Sequence, residues 1–143
     1  MEYNSDEIKK ILPHRYPFLL VDRIIDGKEK EFIVGIKNIS ISDAVFQGHF
    51  PNHHVYPGVL IIESMAQVGA ILLLSEEENK GKIALFTGIK NAKFKGEVFP
   101  GDRLIIKCEF IEKRLNIGFA SAKAYVENKL VAFCEMSFAI SLP

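Results

Sequence analysis

The sequence carries no excess charge of either sign: 18 Lys and Arg balance 18 Asp and Glu. A general nucleic-acid binder needs a basic surplus to meet phosphates, so that class is disfavoured. Near-zero charge also removes one barrier to self-association. Cysteine is scarce. Cys108 and Cys134 both lie in apolar strand-like patterns, with no CxxC spacing and no adjacent His. They read as small core residues of a reducing compartment rather than as a disulfide or a metal pair. A membrane-spanning run is also missing. The one suspect, Gly58 to Leu74, is interrupted by Glu63, Ser64 and Gln67 and falls short of the ~20 apolar residues that a span requires. The opening MEYNSDEIKK is acidic and amphipathic, without the apolar stretch of a secretory signal. The expectation is a cytoplasmic protein with no membrane insertion. No internal repeat, low-complexity tract or linker breaks the chain.

What is present is ordinary globular composition: 143 residues, 48% hydrophobic and 25% charged. A chain of this size buries roughly 68–70% of its unfolded surface, and one domain over residues 1–143 is expected. Ser5 to Leu12 predicts a short helix, capped by Ser5, with Asp6 and Glu7 at its positive end. Pro13 stops it. Phe18 to Val21 is apolar, Asp26-Gly27 is a turn signal, and Glu31 to Ile39 reads as a strand, so a β-hairpin follows the helix. Beyond Pro57 a long apolar helix is predicted. Glu76 to Gly81 then reads as its solvated end, with Gly near the C-cap. Four strand candidates complete the chain. Lys82 to Lys93 is apolar at first and turn-rich later. Arg103 to Ile111 places Leu104, Ile106, Cys108 and Phe110 on one face. Ile117 to Val126 places Gly118, Ala120, Ala122 and Ala124 together, a smooth face that allows close approach. Leu130 to Ile140 alternates with Ala132, Cys134, Met136 and Phe138 inward. A helix apolar on nearly every side must be surrounded. The fold class is therefore α+β, a long helix against a curved, mainly antiparallel sheet of about five to seven strands.

The stretch from Gly48 to Ser75, GHFPNHHVYPGVLIIESMAQVGAILLLS, holds the chemistry. Pro57 suits the first position of the helix. The residue before it, Tyr56, is a poor cap, so the N–H groups of Gly58 and Val59 are left for water or for a developing oxyanion. Glu63 lies inside the apolar helix with Gln67 one turn on, within hydrogen-bonding reach. Two readings of Glu63 stand: a carboxylate paired with an Arg or Lys from elsewhere, or a general acid or base, since apolar surroundings favour the neutral acid. His49, in the loop shortly before this helix, is the acid–base candidate. His53 and His54 read as exposed loop residues. Metal binding by the three histidines is disfavoured, because the segment is broken by prolines and lacks the regular spacing of a metal-binding helix.

Three segments, LPHRYPFLLVDRI, GHFPNHHVYPGVLIIESMAQ and FTGIKNAKFKGEVFPGDRL, resemble the β-hydroxyacyl-[acyl-carrier-protein] dehydratases of the FabZ type, in the same order and over essentially the whole chain. The resemblance implies the hot-dog fold, a curved antiparallel sheet wrapped around a central helix. It implies removal of water from a (3R)-hydroxyacyl thioester carried on the phosphopantetheine arm of acyl carrier protein. His49 and Glu63 would be the catalytic pair, with the Gly58 N–H on the thioester oxygen and the Val59 carbonyl orienting His49. No metal or redox cofactor is implied. Phe50, Tyr56, Ile62, Phe86, Ala92, Phe94 and Phe99 are candidates to line or gate an acyl tunnel, each also readable as plain core. Lys90, Lys93, Lys95, Arg103 and Lys107 cluster in sequence and are candidates to dock the acidic carrier protein. The resemblance further implies a homodimer with active sites shared between subunits, and a trimer of dimers. The chain departs from the pattern at His54-Val55-Tyr56-Pro57, where relatives often carry Pro-Val-Met-Pro or Pro-Ile-Met-Pro; the difference bears on loop shape and chain-length preference. Other readings are a dehydratase that also isomerises the double bond, which typically has Asp at the Glu63 position, a hot-dog thioesterase, and a non-catalytic acyl-chain or carrier-protein binding module.

Overall fold

The computed structural model describes residues 1–143. Helix α1 spans Ser5–Ile11, and its cap is Asn4 rather than Ser5. The Asn4 side chain accepts from the Glu7 N–H and the Glu7 carboxylate accepts from the Asn4 N–H, a reciprocal capping box. The hairpin follows as β1 (Arg23–Lys28) and β2 (Phe32–Asn38), and helix α2 spans Gly58–Leu74. The remaining strands are β3 (Ile83–Phe94), β4 (Arg103–Arg114), β5 (Ile117–Val126) and β6 (Lys129–Ser141). All six form one sheet in the order β1-β2-β4-β5-β6-β3, every neighbouring pair antiparallel. Turn-rich residues after Phe86 do not end β3. The strand absorbs them as two bulges, between Phe86 and Gly88 and between Lys90 and Lys93.

The sheet curls around α2. From Ser64 to Leu74 every residue of the helix is buried, so it lies within the sheet's concave face, as its all-round apolar character requires. The small-residue face of β5 does what its spacing suggests: a Cβ on Gly118 would lie 2.9 Å from Leu73 Cδ1. On β2, a Cβ on Gly35 would lie 2.7 Å from Val68 Cγ2. Glycine lets both strands approach the helix more closely than alanine would.

The segment after α2 differs in part from expectation. Glu77, Glu78, Lys80 and Gly81 are exposed, as a solvated end requires, but the segment forms a separate short turn over Glu77–Asn79 with two polar side chains turned inward. Glu76 and Asn79 are buried, and Asn79 Nδ2 donates to the Leu73 carbonyl at 2.9 Å, closing the helix C-terminus. Burial, and then the neighbouring Glu78, push the Glu76 carboxyl above the ordinary carboxylate range. Gly81, at φ +81°, turns the chain into β3. Both cysteines are free and buried in the core. Burial pushes the Cys134 thiol up to about 11. No helix is long and apolar enough to cross a membrane.

Candidate active site

The Gly48–Pro57 loop is held by its own backbone. The His49 N–H donates to the Val45 carbonyl, Phe50 and His53 exchange two hydrogen bonds, and the Tyr56 N–H donates to Val98 on the far connection. The His49–Phe50 peptide is cis. His49 Nδ1 lies 2.7 Å from the Val55 carbonyl. A carbonyl oxygen only accepts, so Nδ1 carries the proton and Nε2 keeps the lone pair of a base. The orienting carbonyl is thus Val55, six residues along the same loop, and not Val59. Val59 sits on the first turn of α2 with 74% of its surface exposed. The Phe50 ring stacks on His49 at 4.0 Å between centroids.

The helix begins one residue later than expected: Pro57 is the cap and Gly58 the first helical residue. No side chain caps it. Leu60 and Ile61 donate to the Pro57 carbonyl, while the N–H groups of Gly58 and Val59 precede any intrahelical acceptor. A Cβ on residue 58 would lie 2.9 Å from the Phe94 ring, so glycine admits that ring beside the helix start.

One and a half turns on, Glu63 keeps 19% of its side chain exposed. Gln67 Nε2 donates to Glu63 Oε2 at 2.9 Å, the pairing that the i,i+4 spacing predicts. Gln67 also donates to the Phe18 carbonyl and accepts from the Leu20 N–H, pinning the segment before β1 against the helix. The basic partner offered as one reading of Glu63 is neither Lys nor Arg. It is His14, with Nε2 3.9 Å from Glu63 Oε2. His14 stands in the LPHRYP segment, but its meeting with α2 depends on tertiary packing. Desolvation holds its pKa below the usual imidazole value, against the raising effect of Glu63 and with a smaller lowering by Arg15. A cavity of about 40 Å³ lies between these residues and is also lined by Ala66, Ala70, Ala84, Phe86 and Phe138. One water needs roughly 10–15 Å³ by the same measure, so the cavity has room for water beside the carboxyl.

The other candidate residues separate. Phe86 lines the Glu63 cavity and stacks on Phe138. Phe94 stands at Gly58. Ile62 is half-buried against the core, and Ala92 is exposed on β3. Phe99 meets His53 edge-on. Tyr56 belongs to the core, 1% exposed and against Phe46, so it is no gate. His54 also packs on Phe46, half-buried rather than exposed, while His53 pairs with Glu97 at 3.7 Å. The loop histidines face different neighbours, and no three metal-ligating side chains converge. Lys90, Lys93 and Lys95 are exposed along β3 and its end, and Lys90 pairs with Glu135 at 3.8 Å. Arg103 and Lys107 lie on β4, three strand spacings away in the sheet order, roughly 14 Å. The basic cluster seen in sequence is therefore divided within one chain.

The FabA-like domain family matches residues 12–135. Among curated proteins, the chain is 53% identical over 135 residues to 3-hydroxyacyl-[acyl-carrier-protein] dehydratase FabZ of Macrococcus caseolyticus, covering 94% of this chain and 93% of the relative. It is 54% identical over 138 residues to the FabZ of Caldicellulosiruptor saccharolyticus, covering 96% and 99%. Among solved structures, the dehydratase heterocomplex ApeI:P from Xenorhabdus doucetiae superposes with TM-score 0.80 at 15% identity, covering 94% of this chain and 90% of that one. The PaaI protein of E. coli superposes with TM-score 0.64 at 16% identity, covering 81% and 80%. At those identities the structural likeness speaks to the fold.

Proposed function

The chain belongs to the FabA-like family, and from that membership we propose how its own residues carry out the family's chemistry. The protein has the hot-dog fold and dehydrates 3-hydroxyacyl-[acyl-carrier-protein] in fatty-acid biosynthesis. In our reading residues 1–143 form one dehydratase domain. The substrate is a (3R)-hydroxyacyl chain on the phosphopantetheine arm, and the product is the trans-2-enoyl thioester.

His49 is the base. The observation that carries this assignment is the 2.7 Å contact from its Nδ1 to the Val55 carbonyl, which fixes the tautomer and leaves Nε2 free to take the C2 proton. As that C–H bond breaks, charge moves onto the thioester oxygen. The uncapped start of α2 offers the Gly58 N–H to it, and a donor of this kind contributes roughly 10²–10³ in rate. Glu63 gives its proton to the C3 hydroxyl, the C3–O bond breaks, and C2=C3 forms with release of water. The proton gained by His49 and the one lost by Glu63 balance through solvent. In our reading Phe94, beside the helix start, and Phe86, at the Glu63 cavity, line the acyl tunnel.

Two features support a site shared between copies of the chain. The cavity at Glu63 does not include His49, and no hydrogen bond or ion pair joins them. The edge strand β3 is twelve residues long and exposes Leu85, Phe86, Ile89 and Phe94. Lys90, Lys93 and Lys95 beside it are the docking candidates for the acidic carrier. Enoyl formation from hydroxyacyl carrier protein tests the catalytic pair. His49→Ala and Glu63→Ala are each expected to lose a factor of about 10²–10⁴ in kcat, and wild-type turnover by either would overturn its assigned role.

A further inference from the structure

Glu63 shares its cavity with a second titratable group that the mechanism above does not use. His14 reaches it from the segment between α1 and β1. Its Nε2 faces Glu63 Oε2 at 3.9 Å, and its Nδ1 is buried with no hydrogen-bonding partner in the chain. Gln67 also faces Oε2, and its own amide is committed to Phe18 and Leu20. Both neighbours therefore attend the same carboxyl oxygen, and Oε1 has no protein partner. No other titratable side chain lines the cavity. Arg15, next in sequence, is the one further charge acting on His14.

The pair His14–Glu63 with one proton to share has two forms. In one, a neutral imidazole faces a neutral carboxylic acid. In the other, an imidazolium faces a carboxylate. Apolar walls of Ala66, Ala70, Phe86 and Phe138 disfavour separated charge, since desolvation penalises both ions. Only the neutral form leaves the proton on the oxygen acid. A Lys or Arg in the same place would hold the carboxylate as a permanent ion pair and remove the donor.

We propose that His14 is a positioning residue for the dehydration: as a neutral imidazole it flanks the Oε2 that Gln67 holds, leaves the shared proton on Glu63, and so turns Oε1 towards the leaving hydroxyl. The lowered pKa of His14, caused chiefly by burial, agrees with a neutral imidazole at neutral pH. The proposal rests on Glu63 as the acid.

Two variants and one titration test it. His14→Gln keeps a hydrogen-bonding amide but no titration. His14→Phe keeps a flat ring of similar size and no nitrogen. His14→Phe is expected to lower kcat by about tenfold to hundredfold, the scale of a misplaced reacting group, with KM changed less than about threefold. The basic limb of its kcat/KM profile should move, because the carboxyl has lost a polar neighbour. His14→Gln is expected to recover most of kcat. Equal activity of the two variants, or a change confined to KM, would make His14 a mere wall of the tunnel and overturn the proposal. Thermal melts identify a variant that fails to fold. The activity-independent arm follows the His14 imidazole by NMR as pH is varied, in wild type and in Glu63→Gln. With the shared proton on Glu63 the carboxyl carries no charge while the imidazole titrates, so the His14 pKa should stay close to the wild-type value in Glu63→Gln; a clear fall would reveal a carboxylate beside His14 and overturn the neutral pair. If Glu63→Gln dehydrates at the wild-type rate, the acid assignment itself fails and the proposal with it, while the titration still reports on the charge of the pair.

Discussion

Tyr56 shows how a single side chain can carry an unrewarded polar group. It is almost wholly buried, and its hydroxyl makes no hydrogen bond of acceptable geometry although Ser64 lies beside it. Ser64 Oγ donates instead to the Leu60 carbonyl. A buried hydroxyl without a partner gives back little of its desolvation cost. Tyr56→Phe is therefore expected to be neutral or stabilising by up to about 1 kcal/mol in urea denaturation at neutral pH. Desolvation first, and then the charges of Asp43 and Asp22, raise the phenol to about 12 against the partial opposition of Ser64. The folded state thus holds this proton more tightly than the unfolded chain does. Its contribution is intact below pH ~10 and is lost as pH rises towards about 12. Unfolding followed across that window should show a smaller alkaline loss in Tyr56→Phe than in wild type. The residues of the site were unequally legible. His49 and Glu63 stand within one continuous motif, and Gln67 follows Glu63 at a helical interval. His14 lies in an equally recognisable segment, but its meeting with Glu63 depends on which face of α2 that segment crosses. The Val55 carbonyl depends on how the loop closes, which no spacing rule specifies.

At the scale of elements, periodicity located the helices and strands because burial demands it. The strands alternate with one face inward, and α2 is apolar on every side because it is enclosed. Local polar chemistry was less readable. Asn4 caps α1 in place of Ser5, since either residue type is a good cap and the box formed with Glu7 decides between them. Glu76 to Gly81 looks like a solvent-facing charge run, yet Asn79 turns inward to the last helical carbonyls. The glycines on β2 and β5 set how closely the sheet approaches α2. Gly35 is the tighter case: an added methyl there would lie within 3.0 Å of both Val68 Cγ2 and Ile24 Cδ1. Gly35→Ala is expected to destabilise the fold by about 1–3 kcal/mol through overpacking, read as a lower urea midpoint with an unchanged slope. Wild-type stability would mean that α2 can shift away from β2 without loss.

The two edges of the sheet distinguish the whole molecule. β1 is six residues long, interrupted by a bulge and bordered by Arg23, Asp26 and Lys28, features that discourage further pairing. β3 is twice as long and displays Leu85, Ile89 and Phe94. An unpaired apolar edge of this kind invites a second strand. Ile89→Lys is expected to shift the protein towards monomer in sedimentation and, if sites are shared, to lose dehydration in parallel. A monomer with full activity would refute shared sites. A complementary check mixes the inactive His49→Ala and Glu63→Ala proteins under conditions of subunit exchange. Hybrid dimers should regain up to about a quarter of wild-type activity per total protein, because random pairing leaves half the dimers mixed and each mixed dimer one intact site. Persistent inactivity with proven exchange would count against two-chain sites.

Sequence alone determined the features that local order dictates: the alternation that makes strands, the apolar run that must be enclosed, the uncapped helix start behind Pro57, and the proposed catalytic pair carried by one motif. Those features depend on residues a few positions apart. Tertiary structure decided what depends on residues far apart in the chain. It brought His14 to Glu63 across 49 positions of sequence, as the intervening hairpin and loop return α2 to the segment that Gln67 pins. It divided a basic cluster that is contiguous in sequence, because the crossing from β3 to β4 spans the sheet. The physical reason is the same in both cases: the buried helix can satisfy its few polar groups only with whatever the curved sheet and its connections carry past it.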